Sequence, residues 1–224
     1  MKCDEKEAAA INPFEPESPY VIVCEGFHDM ALVCALLRHA GITNCDVTYP
    51  KKKDGGNGKD AIKKVVELLA GRSAQLKGVF VVTDADLDPD DSFKTICGAF
   101  VPPFKAPTAA FTIHRGKDYR TGVFLTPGKG KTGEVEDLLL QVALDTNPRT
   151  IQCIEDFKVC VNTMGNWSAN KQAKMKLACY IATQCKNDPC CSPAFIWATK
   201  NKVLEIANPV FKELSDLLAE FAAP

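Results

Sequence analysis

Carboxylates recur in this chain where apolar segments end. Glu25 directly follows the run Tyr20-Val-Ile-Val-Cys24, and Asp84 and Asp86 follow Gly78-Val-Phe-Val-Val-Thr83, with Asp88 close behind. Glu134, Glu136 and Asp137 open a later apolar segment, and Asp29 lies one helical turn after Glu25. Bare carboxylates held close together repel and raise one another's pKa. A divalent cation removes that conflict, and hard oxygen donors favour Mg2+ or Mn2+ over zinc. Alternation along an extended segment would set Asp84, Asp86 and Asp88 on one side, so that one loop offers several ligands. The plainer reading stands beside this one. Asp90 or Asp91 caps the helix that follows, and Glu134, Glu136 and Asp137 complement a helix dipole.

These groups act together only if the fold gathers them. Tyr20–Cys24 is too short for a helix and suits a buried strand. A helix follows from His28 to His39, with Met30, Leu32, Val33, Leu36 and Leu37 at helical spacing and Gly41 as its stop. A second strand is predicted near Cys45–Tyr49, a helix over Asp60–Leu69, and a third strand over Gly78–Thr83. A helix over Asp91–Gly98, strands over Ala109–His114 and Val123–Thr126, and a helix from Glu134 to Leu144 complete this part. The β-α-β-α-β-α start predicts an α/β fold: a mainly parallel central sheet flanked by helices. From residue 148 the pattern is helical, over Thr150–Met164, Ser168–Gln184 and Pro209–Phe221. The expected organisation is an arm over residues 1–18, an α/β domain over 19–147, and a helical part over 148–224 packed on it. In a parallel sheet the carboxyl ends of adjacent strands share one edge, so distant acids converge there.

Composition narrows the partners. The 224 residues carry 27 Lys plus Arg against 28 Asp plus Glu, so no bulk positive charge is present to release counterions from a polyanion. A nucleic acid must be met by a local patch or through metal ions. The longest apolar run, Met30–Leu37, is too short for a bilayer, and the acidic start lacks a secretory signal. A cytoplasmic protein is expected. Eleven cysteines without a CxxC pair read as free thiols in a reducing compartment. Cys24, Cys34, Cys97, Cys160 and Cys179 sit in apolar surroundings and behave as small hydrophobes.

Two loops combine lysine with glycine: KKKDGGNGK at residues 51–59, ending in Lys59, and GKGK at residues 128–131, ending in Lys131. Their exposed N–H groups and ammonium groups suit phosphate contact, although neither has P-loop spacing; the alternative is a pair of solvated turns. Lys174 and Lys176 precede an apolar helical stretch, as a phosphate-stabilising pair or as a basic surface turn. His28 is close enough in sequence to reach Glu25, whereas His39 and His114 have no matching partners. Trp167, Trp197, Tyr180 and Phe195 read as core of the helical part rather than as a base-stacking platform.

VIVCEGFHD followed by VVTDADLD resembles the Toprim domain of topoisomerases, bacterial primases and the overcoming-lysogenization-defect nucleases. The family's glutamate, adjacent glycine and DxD map onto Glu25, Gly26, Asp84 and Asp86. TGEVEDLLL at residues 132–140 and KMKLACYIA at 174–182 extend the likeness to stand-alone Toprim-related proteins of unassigned function. The resemblance implies Mg2+- or Mn2+-dependent phosphodiester chemistry on DNA or RNA, with Glu25, Asp84 and Asp86 as metal ligands. Glu136 is then the extra ligand, Asp88 and Asp29 are secondary candidates, and Glu25 is alternatively a general acid or base. It also places a lysine near the site, with Lys176 as a catalytic cation and Lys174 on phosphate, beside Lys59 and Lys131 of the two loops as further phosphate contacts. An ATPase in a separate chain is an implied partner. Two other readings remain: a non-cleaving metal-assisted nucleic-acid or nucleotide binder, and a haloacid-dehalogenase-like phosphatase suggested by DADLD. The latter family's DxD follows its first strand, and this one follows the third.

Overall fold

A computed structural model of the chain describes residues 16–50, 58–162, 165–186, 188–197 and 203–223. Most of the expected N-terminal arm, residues 51–57 of the first lysine-glycine loop and Met164 lie outside the described residues. Five strands form one sheet: β1 (Tyr20–Cys24), β2 (Cys45–Thr48), β3 (Gly78–Asp84), β4 (Ile113–Arg115) and β5 (Arg120–Thr126). Their order is β2-β1-β3-β5-β4, parallel throughout except for the antiparallel edge strand β4. The α/β expectation and the mainly parallel sheet are both met.

Side-chain alternation along the strands builds two cores. Ile22, Cys24, Phe80, Val82 and Phe124 face one side, against α1 (Phe27–His39), α4 (Val135–Thr146), α6 (Ala169–Gln184) and α7 (Lys212–Ala222). Val21, Val23, Val79, Val81, Val123 and Leu125 face the other, against α2 (Lys59–Ala70) and α3 (Pro89–Cys97). Strands this short and apolar on both faces belong inside a parallel sheet. The C-terminal helices share the first core. Phe221 of α7 lies with its ring centroid 5.2 Å from that of Tyr20 and 5.3 Å from that of Phe80. The helix α5 (Pro148–Val161) packs with α4 and α6.

Several local expectations are corrected. Residues 17 and 18 do not float: the Glu17 and Ser18 N–H groups donate to Asp46 Oδ2 at 2.7 and 2.8 Å, which ties them to β2. The strand predicted over 109–114 is only Ile113–Arg115, because Phe111 takes a positive φ of 61° that no strand accommodates. Cys160 is exposed and Cys97 and Cys179 are half-buried, whereas Cys24 and Cys34 are buried as expected. Cys160 belongs to α5, of which only Ile154 is buried, so apolar neighbours in sequence did not imply burial. Tyr180 is buried and Trp197 packs near Phe211, but Trp167 and Phe195 are each 40% exposed and are not core.

If α7 belongs to the central core, Phe221→Ala removes a fully buried ring wedged between two others. It is expected to lower the stability of the whole chain by roughly 3–5 kcal/mol. A single urea transition moved to lower midpoint checks this. A separate early transition with the main one unmoved would show an independent C-terminal part.

Candidate functional site

The sheet order sets the place. From β1 the chain goes to β2 on one side and then returns past β1 to β3 on the other, so the helices after β1 and β3 leave the rim on opposite faces. The crevice between the carboxyl ends of such strands is the usual ligand position of open α/β sheets. Glu25 ends β1 there, with its N–H on Val82 O at 2.9 Å, and Asp84 ends β3.

Glu25 and Asp84 adjoin. Glu25 Oε2 accepts from the Asp84 N–H at 3.2 Å and from the Thr83 hydroxyl. Its other oxygen lies toward Gly58, at the N-terminus of α2: a Cβ there would stand 3.5 Å from Oε1. Asp84 Oδ1 accepts from the Thr126 hydroxyl at 2.6 Å and from the Val135 N–H at 3.1 Å, linking β3 to the end of β5 and the start of α4. Asp29 contributes from the first turn of α1. Its Oδ2 accepts the Gly26 N–H at 3.1 Å, while Oδ1 is buried and has no hydrogen-bond partner among the described residues. Glu136 enters from the first turn of α4 and is only 4% exposed. Its Oε1 meets His28 Nδ1 at 3.1 Å.

These acids act on one another's charge. Burial is the main force raising Asp29 well above the carboxylate range, and Asp84, Glu25 and Glu136 add to it. Asp84 is pushed up to about 7, first by burial and then by Glu25, Glu134 and Glu136, against the opposing Thr126 hydrogen bond. Burial also pushes Glu136 upward, yet the His28 and backbone hydrogen bonds and the Lys174 charge together hold it below the usual range. Lys174 is lowered by burial and raised more strongly by Glu134, Glu136 and Asp84, so it stays charged. Its Nζ pairs with Glu134 Oε2 at 2.5 Å, and Asn170 donates to the other Glu134 oxygen. Lys174 and Asn170 are one turn apart on α6, which is how the helical part reaches the rim.

Other residues predicted for the site lie elsewhere or do other work. Asp88 is the N-cap of α3: its Oδ1 accepts the Asp90 and Asp91 N–H groups, both at 3.0 Å. The capping role expected of Asp90 or Asp91 therefore belongs to Asp88. The extended alternation fails because Asp86 takes a left-handed φ of 53° just after the strand. Its backbone exchanges two hydrogen bonds with Gly133, at 3.0 and 2.7 Å. Its carboxylate pairs with Lys59 Nζ at 2.5 Å, and that ammonium also donates to Ser92 Oγ at 2.6 Å. Lys176 leaves the site altogether and pairs with Glu155 between α6 and α5. Lys131 is exposed on the loop after β5, at the same rim. Asp137 caps α4 through the Glu134 N–H at 2.9 Å. Gly133, with φ 124°, is required beside it, because a Cβ there would come within 2.4 Å of Asp137 Oδ2.

Glu134 joins the cluster although its position in the sequence suggests only a helix-dipole role. Its spacing from Lys174 carries no signal, because the pair forms across two helices. Asp29, by contrast, is legible: one helical turn separates it from Glu25.

Among the described residues, no three Asp, Glu, His or Cys side chains stand together as a ready-made ligand set. The donors nevertheless fit a hard cation. They are carboxylates, burial and then neighbouring acids make two of them hold protons more tightly than usual, and Asp29 Oδ1 is buried without a donor among the described residues. Glu25, Asp84, Asp29 and Glu136 are the residues that would hold Mg2+ or Mn2+.

Fold and site define an α/β protein with a carboxylate-lined crevice at the switch point of a parallel sheet. The chain belongs to the family described as "Protein of unknown function (DUF3226)", whose model matches residues 19–222. No curated protein and no solved structure matches it. No helix among the described residues is long and apolar enough to cross a membrane.

The Asp84 carboxyl gives a pH test with a definite sign. Its folded pKa is raised, so the folded chain binds a proton that the unfolded chain has already released. Stability without metal is therefore expected to fall as pH rises from about 4, the unfolded carboxylate value, to about 7, and then to level off. Asp84→Asn, which keeps an acceptor for Thr126 and Val135, should lessen that slope, the share of Asp29 remaining, and raise the Tm above wild type at pH 8 in EDTA. Thermal melts across pH check this, and identical slopes in the two proteins would contradict it.

Proposed function

We propose that this protein is a Mg2+- or Mn2+-dependent phosphodiesterase of Toprim type, a nuclease acting on DNA or RNA. The observation that carries the reading is the gathering of Glu25, Asp29, Asp84 and Glu136 around one rim, with Lys174 beside them and a buried carboxylate oxygen unpartnered among the described residues. Such a cluster is unfavourable by itself and becomes favourable around a divalent cation. When bound, the cation supplies Lewis acidity at a phosphoryl oxygen and acidifies water.

The chain's own residues supply the rest. Thr126 and the Val135 N–H hold one oxygen of Asp84 and direct the carboxylate into the crevice. Thr83 and the Asp84 N–H hold one oxygen of Glu25, whose other oxygen is near Gly58, the N-cap of α2. Glu25 is thereby placed to orient a ligand or to accept a proton from water. Lys174 is the cation available to a phosphate, because its partner Glu134 is on the cluster's edge and its side chain is half exposed. Lys176 takes no part. Asp86 and Lys59 neutralise each other at the mouth of α2, and a phosphate oxygen that displaces Asp86 would find Lys59 already positioned.

That same pair favours a second reading. An internal ammonium on the second acid of the DxD takes the place a cation would otherwise fill, as suits a protein that binds nucleic acid or nucleotide without cleaving it. An ATPase partner supplying activation belongs to either reading.

Plasmid and single-stranded DNA and RNA, incubated with Mn2+ or Mg2+, distinguish the two. Cleavage is expected, falling to background in Asp84→Ala and Glu25→Ala and by about 10²-fold in Lys174→Ala, the scale of a lost transition-state donor. Lys176→Ala should cleave like wild type. Metal-dependent binding without cleavage would favour the second reading, and cleavage surviving Asp84→Ala would sink the first.

A further inference from the structure

His28 joins two parts of the chain that the sequence keeps far apart. It stands in the first turn of α1, and its side chain is 36% exposed. Its Nδ1 lies 3.1 Å from Glu136 Oε1 on α4, and its Nε2 lies 3.4 Å from Ser192 Oγ. Ser192 begins the short 3-10 turn Pro193–Phe195, and its Oγ accepts the Ala194 N–H at 3.4 Å. The turn is held on α1 by Phe195, whose ring meets that of Phe27 edge-on at 5.7 Å.

For a neutral ring beside an ionised Glu136, which can only accept, these bonds have one direction. The Ser192 oxygen accepts from Ala194, so its hydroxyl proton is free to point at Nε2. An imidazole that accepts at Nε2 carries its proton on Nδ1 and donates it to Glu136. Which nitrogen carries the proton is thus assigned by the bonding network. One oxygen of a nearly buried carboxylate, whose charge is felt by Asp84 and Asp29, is then fixed.

We propose that Ser192 and His28 form a positioning relay that fixes the Glu136 carboxylate for cation binding, so that the helical C-terminal part sets the geometry of the acidic site. The inference rests on the metal-dependent reading for its purpose, while the relay itself is a property of the metal-free chain. Groups that orient a ligand from outside the coordination shell typically change metal affinity by about 10- to 100-fold when removed. A histidine that only packed would not need a partner on each ring nitrogen.

Two measurements on the full chain test it. Long-range 15N–1H correlation spectra of the metal-free protein should show His28 as the Nδ1–H tautomer, shifting to a mixture in Ser192→Ala. An Nε2–H tautomer in wild type would overturn the relay whether or not a metal binds. Mn2+ titration followed by paramagnetic resonance should show His28→Ala weakening affinity by about 10- to 100-fold. His28→Asn, whose amide N–H takes up roughly the Nδ1 position, should restore most of it. Unchanged affinity in His28→Ala, or His28→Asn as weak as His28→Ala, would overturn the positioning role. Wild type that binds no Mn2+ but shows the expected tautomer would sink the metal reading and leave the relay standing.

Discussion

Burial of carboxylates at one sheet rim, with their mutual repulsion added to it, is the constraint around which the rest of this structure is arranged. Charges at such spacing, partly removed from water, interact far more strongly than on an open surface. The chain relieves this in three ways: Asp29 and Asp84 hold protons tightly, Glu136 leans on His28, and Glu134 is matched by Lys174. An arrangement that needs so many compensations is costly to stability, and functional sites are where such costs are characteristically retained.

The backbone around the cluster is correspondingly over-determined. Asp86 in a left-handed conformation, bonded twice to Gly133, joins the exit of β3 to the entrance of α4. Gly133 leaves room for Asp137, which caps the helix that delivers Glu136. The Asp84 side chain bonds Thr126 and Val135, so one carboxylate links the ends of two strands and the start of α4. Elements that are remote in sequence are thus fixed by hydrogen bonds within the crevice and by the cores on either face. The helical C-terminal part belongs to this frame: Phe221 sits on the sheet, Lys174 reaches the rim, and Ser192 touches His28.

The acidic tip of each strand was legible because a carboxylate directly after a buried apolar run has few structural excuses. Glu25 and Asp84 satisfied that logic. Asp86 and Asp88 shared the same signal and diverged, because the chain left the extended conformation at Asp86 and a cap was needed at Asp88. Lys174 and Lys176 differ by two helical positions, which turns them about 200° apart around the axis; only one could face the rim.

The sequence by itself determined the central strands, the helices and the sheet type, since those follow from local periodicity and from the length of apolar runs; the edge strand β4 it did not. It also determined that acids end β1 and β3. Only the tertiary structure decided which acids and cations meet: the Glu136–His28–Ser192 chain, the Glu134–Lys174 pair and the Asp86–Lys59 pair. Each joins residues on different elements, and the distances between such residues depend on strand order and helix rotation, neither of which leaves a periodic mark in the chain.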